Sequence, residues 1–508
     1  MLTIDRLFSS YLVLQRDKPV KIWGTGDGEE VTVSVQGKSA SALILDGKWQ
    51  VTLPPLTASQ AETLFVKSGA EQLKVENVAV GEVWIAGGQS NMEFPLKYDA
   101  DARKVIPTAK NPDIRFFDCP RIKFEGQEKE EDYSQFGFWR PLNPTNAPFY
   151  SAVGFYFAKQ IYDQLQVPVG IIGCNWGGTS ASTWLDESYL AAHDSLRVYL
   201  DEYQAGIRTL DMKEYLEAEA ASRKYMARRV VRQFLNTTLK RTLGPFLTPL
   251  FTAIIQSGKK NMPAIGPRSE NRPGGLFHTM LQKIAGFSAR GVIWYQGESD
   301  DNKADLYARL FSALIRCWRE VWQDELPFLF VQLAPYERWL GFSAGDFVTL
   351  REQQELVSKT VSGTWMASIM DAGSRLDIHP KHKRPVGERL ALLARGKVYG
   401  EDILCDAPEA VEVKLEGDCL VISFIHAGSG LYLKGDRLKS LEILADGQPF
   451  SFSKVTVFKD TLVVQSESFR SGKSLEIRYA WRNFAEVNLY NSAALPAKPF
   501  RRVLTTGN

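Results

Sequence analysis

Chemistry in this chain would start at GGQSNMEFPL, Gly87 to Leu96, directly behind the strand-like run GEVWIA. The apolar run ends at Ala86, Gly87 and Gly88 give the turn its freedom, and Ser90 follows at the strand's C-terminal end. A serine there, with backbone N–H groups of a following helix beside it, has the parts needed to attack an acyl carbon. The same serine would serve as a helix cap, and the stretch taken alone favours the cap. It is not a GxSxG elbow, because Met92 stands where the last glycine would be, and no GxSxG occurs elsewhere.

A nucleophilic serine needs a base, and the chain has five histidines. His193 lies in the polar AAHDS, His278 in GGLFHTM and His426 in the C-terminal β-patterned region. His379 and His382 share DAGSRLDIHPKHKRPVGERL, behind the run TWMASIM. Pro380 biases His379 toward extended backbone, and in an extended Asp377-Ile378-His379 the outer two side chains face the same way. The carboxylate can then fix the imidazole tautomer and stabilise its protonated form. Asp371, at the end of its own strand, is the alternative carboxylate, and a solvated loop Asp and His is the structural alternative. His379 and His382 have no further ligand types clustered near them, so no metal is expected.

An oxyanion needs donors beyond the Ser90 amide. NWGGTSASTW supplies the pair Gly177 and Gly178 after the strand VGII, and GVIWYQGESD supplies Gln296, with a side-chain amide, after VIWY. Each stretch alone reads equally well as a strand-end turn. Several polar turns behind separate strands of one α/β pattern converge on one sheet edge, and that convergence points to a hydrolase.

The elements that must hold these residues change character along the chain. Residues 1–80 are short alternating runs about ten residues apart, broken by Gly, Asp and Pro, as in a β-sandwich. From 81 to about 405, buried β runs alternate with helical ones such as SAVGFYFAKQIYDQL, DLYARLFSALIRCWREVW and GERLALLARGKVY. That alternation predicts a parallel sheet flanked by helices. A charged helical insertion is expected over about 190–256, and a second sandwich-like β unit over 406–508.

Composition narrows the partners. The 508 residues carry 61 basic and 59 acidic side chains without a long basic run, which gives no support to nucleic acid or a membrane surface. Five scattered cysteines with no CxxC pair read as reduced thiols. No apolar run approaches membrane-span length. The N-terminus lacks the basic-then-apolar pattern of a leader, so a cytoplasmic location is expected, or a secreted or periplasmic one if a leader has been removed. The sequence does not specify an oligomeric state.

GEVWIAGGQSNME, NWGGTSASTW, GVIWYQGESD and DIHPKHKRPVGERLA together resemble the ordered blocks of the SGNH (GDSL-like) hydrolases. More narrowly they resemble the sialate O-acetylesterase family, and LVLQRDKPVKIWG and NLYNSAALPAKPFR extend the resemblance to both ends. It implies an SGNH-like parallel sheet and a cofactor-free serine esterase, with Ser90 as nucleophile and His379 as general base. It implies Asp377 as the acidic partner, although only Ile378 separates it from His379 where the wider group usually has two residues. The oxyanion would rest on Ser90, Gly178 and Gln296. Gln89, Asn91, Trp176 and Glu298 would line the substrate, with Trp184 and Tyr295 as further stacking candidates. The implied substrate is O-acetylated sialic acid, with acetylxylan or another acetylated glycan as the alternative. An inactive carbohydrate-binding protein is the alternative of another class, and the intact Ser90, His379 and Gln296 argue against it.

Overall fold

A computed structural model of the chain describes residues 1–227, 265–339, 342–466, 469 and 474–505. The chain divides into two compact units, Met1–Asp300 with Leu306–Phe328, and Asp301–Asp305 with Leu329–Asn508.

The first unit is organised on one 18-residue strand, Glu71–Gly88. Its N-terminal half pairs antiparallel with Ser59–Ser68. From Val78 to Gly88 every residue is buried, as expected of a strand covered on both faces. Here its neighbours are parallel, Val169–Asn175 on one side and Gly291–Tyr295 on the other. Asn111–Asp118 pairs parallel beyond Val169–Asn175, and Trp139–Leu142 closes that edge antiparallel. The N-terminal β region and the α/β region therefore share a single strand that runs unbroken through residue 81. In the N-terminal region the period-2 pattern works as written: Trp49, Val51 and Leu53 of the strand Lys48–Leu53 point inward between exposed neighbours.

Helices cover the sheet. Ala152–Leu165 is capped by Ser151, whose Oγ accepts from the Gly154 N–H at 3.0 Å. Tyr307–Trp322 turns Leu310, Phe311, Leu314, Ile315 and Trp318 inward, and Trp318 meets sheet residue Trp294 edge-on at 5.6 Å. The expected helical insertion is represented by Arg197–Arg208 and Met212–Ala227. Its remainder, to residue 256, lies outside the described residues.

Glu82, fully buried in the long strand, accepts from Arg16 Nε at 2.6 Å and from Arg290 Nε at 2.7 Å. Burial by itself would raise its carboxyl, but the Arg290 and Arg16 pairs outweigh it and hold the group below the usual carboxylate value.

The second unit contains the strand Thr364–Ala367, the helices Phe347–Thr360 and Arg384–Leu393, and a C-terminal β region. That region has two four-stranded antiparallel sheets, with Leu420, Ile422, Leu462, Val464, Ile443 and Ile477 in a common core. Arg351 is buried, and its guanidinium donates to the carbonyls of Leu333, Ala334, Arg482 and Asn483 at 2.7–3.1 Å. The fold is thus a mixed sheet flanked by helices with β-rich units, as the sequence pattern predicts. Among the described residues no helix is long and apolar enough to cross a membrane.

Candidate active site

Sheet register brings three turns to one level. Gly88 lies opposite Asn175 on one neighbouring strand and Tyr295 on the other. The chain therefore leaves the sheet side by side into Gln89-Ser90, Trp176-Gly177-Gly178 and Gln296-Gly297. The strand reaches Gly88 rather than ending at Ala86, because Ala86, Gly87 and Gly88 keep parallel partners on Gly291–Tyr295.

Both glycines of the first turn are required, for different reasons. Gly88 has φ +130°, and a Cβ there would lie 2.2 Å from the Tyr295 carbonyl oxygen. A Cβ on Gly87 would lie 2.8 Å from the Trp294 ring. Gln89 is buried, and its N–H donates to the Tyr295 carbonyl at 3.0 Å. Half-buried Ser90 then opens the four-residue helix Ser90–Glu93. Gln89 Oε1 accepts from the N–H groups of Gly297 and Ser299, each at 3.3 Å. Gln89 is accordingly a brace between the first and third turns. Asn91 is also buried and donates to Glu298 Oε1 at 2.5 Å, so these two substrate-binding candidates are bonded to each other.

The second turn lies against Ser90. A Cβ on Gly177 would stand 3.1 Å from Ser90 Cβ. The Gly177 N–H donates to Glu93 Oε2 at 2.8 Å, and Glu93 Oε1 pairs with Arg121 at 3.0 Å. Gly178 is exposed, has φ +77° and meets nothing within 4 Å of where its Cβ would be. Trp176 is half-buried, with its N–H on the Gly88 carbonyl at 3.0 Å. Trp184 and Tyr295 are wholly buried. Of the three aromatic candidates, Trp176 alone is partly exposed.

Gln296 lies in the third turn. Its Nε2 donates to Asp300 Oδ2 at 2.6 Å and to the Thr179 carbonyl at 3.2 Å, while Oε1 accepts from the Tyr307 hydroxyl at 2.9 Å. Both amide hydrogens have acceptors, and the side chain is fully buried. In this arrangement its amide ties the second and third turns together.

His379 and Asp377 belong to the second unit. His379 Nδ1 lies 3.9 Å from Asp377 Oδ1, beyond hydrogen-bond range. Asp377 Oδ1 instead accepts from the backbone N–H of His379 at 3.0 Å, the local turn that an aspartate forms in competition with extended backbone. Trp339 meets the imidazole edge-on at 5.2 Å. The alternative carboxylate, Asp371, is held by Arg389 at 2.6 and 2.8 Å and accepts from the Tyr490 hydroxyl at 3.3 Å. Among the described residues Asp186, Glu187 and His278 also cluster, and a direct 2.6 Å bond between His278 Nε2 and Glu187 accounts for that proximity.

Residues 266–392 match the family model "Carbohydrate esterase, sialic acid-specific acetylesterase". The chain is similar to rat sialate O-acetylesterase, at 27% identity over 98% of this chain and 93% of the relative. The human sialate O-acetylesterase is 26% identical over 98% and 92%. A solved carbohydrate acetylesterase of Xanthomonas citri is 30% identical, covers 98% of this chain and 99% of its own, and superposes with a TM-score of 0.75. The chain belongs to the sialate O-acetylesterase family. It is a carboxylic ester hydrolase, and the fold that the resemblance implied is the one observed.

Two residues of this esterase's polar network escaped sequence reasoning. Glu93 follows Ser90 at the S-x-x-E spacing that usually signals a capping box, but its carboxylate reaches across to Gly177. Asp300 stands four residues after Gln296 and is nearly wholly buried, and nothing in QGESD by itself distinguishes it from a solvated strand-end acid.

Proposed function

We propose that the protein is a serine O-acetylesterase that removes acetyl groups from sialic acid through an acetyl-enzyme. Ser90 attacks the acetyl carbonyl while His379 takes its proton. The oxyanion rests on the N–H groups of Ser90 and Gly178, and His379 returns the proton to the leaving sugar hydroxyl. Water, activated by the same imidazole, then hydrolyses the acetyl-enzyme. Asp377 acts on His379 through charge and through the backbone turn, in keeping with its 3.9 Å separation from Nδ1. Trp176 offers the sugar a stacking face.

The observation that carries this reading is the shared level of Gly88, Asn175 and Tyr295, which sets Ser90 against the Gly177–Gly178 turn. Support for sialic acid comes from the names of the rat and human relatives, matched over nearly the whole chain. A broader acetylated-glycan specificity is the second reading, favoured by the solved Xanthomonas citri relative, a carbohydrate acetylesterase. The test is acetate release from 9-O-acetyl sialic acid beside acetylated xylo-oligosaccharides, with Ser90→Ala as control. Preference for the xylan fragments selects the second reading. Equal activity of wild type and Ser90→Ala removes Ser90 as nucleophile.

A further inference from the structure

The best-connected buried acid near these turns has no part in the acyl-transfer scheme. Asp300 is 1% exposed. It accepts from Gln296 Nε2 at 2.6 Å, from Ser180 Oγ at 2.5 Å and from the Ala181 N–H at 2.9 Å. Ser180 and Ala181 continue the chain from Gly178, and Gln296 itself donates to the carbonyl of Thr179, the residue between. Thr179 Oγ1 donates to the Trp176 carbonyl at 2.8 Å and accepts from Trp184 Nε1 at 3.0 Å. Every residue from Thr179 to Ala181 is therefore bonded to Asp300 directly or through Gln296. The insertion helix Arg197–Arg208 contributes Tyr199, whose hydroxyl is pushed well above its ordinary value by burial first and by the charge of Asp300 next.

We infer that Asp300 is a positioning residue for ester hydrolysis, fixing the Gly177–Gly178 turn relative to Ser90 through Gln296, Ser180 and Ala181. The inference rests on the proposed role of Gly178 as oxyanion donor. Gly178 has φ +77° and nothing within 4 Å of where its Cβ would be, so no neighbour packs on that side of the residue. The direction of that N–H is set by what grips the residues on either side. Glu93 grips Gly177 on one side, and the Asp300 cluster grips Thr179, Ser180 and Ala181 on the other. A misplacement of about 1 Å in such a site costs on the order of 100-fold in rate.

Substitution separates positioning from charge. In Asp300→Asn, the amide oxygen can face Gln296 Nε2 and the Ala181 N–H, while its NH2 donates to Ser180 Oγ, a hydroxyl able to accept. All three contacts survive without the charge. Asp300→Ala removes all three. The experiment measures kcat and KM for p-nitrophenyl acetate per active site, with active sites counted by labelling of Ser90 with a fluorophosphonate. Expected is a fall in kcat of about 100-fold for Asp300→Ala with KM within about threefold, and recovery by Asp300→Asn to within about tenfold of wild type. Unchanged kcat per site in Asp300→Ala, or Asp300→Asn no better than Asp300→Ala, overturns the inference. Should Asp300→Ala yield no folded protein, Ser180→Ala carries the test, with an expected fall of about fivefold and an unchanged kcat as the contrary result. If wild type is not labelled, or Ser90→Ala is as active as wild type, the proposed function fails instead, which is a separate outcome.

Discussion

Replacing Gly88 by alanine would set a Cβ 2.2 Å from the Tyr295 carbonyl oxygen and 2.8 Å from its carbon. An ordinary carbon–oxygen contact is a little over 3 Å, so one strand end must move by about 1 Å. The oxygen has little room to retreat, because it accepts the Gln89 N–H at 3.0 Å. The backbone also resists, since φ +130° is a region that side-chain-bearing residues rarely adopt. Strain of about 1–3 kcal/mol follows from the dihedral alone, and the displacement falls on the residue two before Ser90. A shift of about 1 Å there is expected to lower kcat on the order of 100-fold. The assay is hydrolysis of p-nitrophenyl acetate per folded molecule, with a thermal melt on the same samples. Gly126→Ala is the control: φ is +85°, but nothing lies within 4 Å of its Cβ position, so it keeps the dihedral strain without the clash. It should lower the melting temperature slightly and leave kcat alone. Gly88→Ala with kcat within threefold of wild type would refute the reasoning, for the close approach would then not be fixing Ser90.

Gln296→Ala removes three hydrogen bonds from a buried network, so it should lower both kcat and stability, the latter by about 1–3 kcal/mol. A 100- to 1000-fold rate loss with an unchanged melt would restore its amide to the oxyanion. Glu82, with its carboxyl held below the usual carboxylate value in the fold by Arg290 and Arg16, stabilises the protein above the unfolded value, and that contribution is lost as pH falls through the folded one. Wild type should therefore lose melting temperature in acid below about pH 4. Glu82→Gln should flatten that acid limb while costing about 3–5 kcal/mol near neutrality by leaving Arg16 and Arg290 without their carboxylate. An acid limb as steep as in wild type excludes Glu82 as its source. Trp176→Ala should raise KM for an acetylated sugar by about three- to tenfold, the worth of one stacking contact, and affect p-nitrophenyl acetate far less; equal effects on both would place the ring elsewhere in the reaction.

What could be read in the sequence was local. The unbroken apolar run before Gly87, the paired glycines and the amphipathic Tyr307–Trp322 each carry their structural meaning within a dozen residues, because strand burial, turn chemistry and helical period are short-range patterns. Asp377 was also a local matter, but two local rules competed. Pro380 favours extended backbone at His379, whereas an aspartate two residues earlier can bond that residue's own N–H, and that bond is formed, with the carboxylate on the backbone and not on the imidazole. Gln296 could not be read locally. Its amide looks available until Asp300, Thr179 and Tyr307 are brought around it, and two of those three are 11 and 117 residues away in the chain. Glu82 illustrates the same limit, since its partners lie 66 and 208 residues distant.

The long-range bonds around Ser90 have a pattern of their own. Asn91 to Glu298 and Gln89 to Gly297 join the first turn to the third. Glu93 to Gly177 joins the first to the second, and Gln296 to Thr179 joins the third to the second. The three links close a triangle, so no turn can shift without straining two of its sides. Apart from the backbone groups they grip, the bonds are made by side chains with little or no contact with water, where a polar group left unpaired is most costly. A triangle of this kind would hold the proposed donors in place before any substrate arrives, which is the condition under which amide groups stabilise a developing charge without reorganising. It also explains why Gln89, Asn91 and Gln296 look catalytic in the sequence while each side chain bonds to a neighbouring turn: polar residues crowd this sheet edge because the turns around Ser90 must be tied together there.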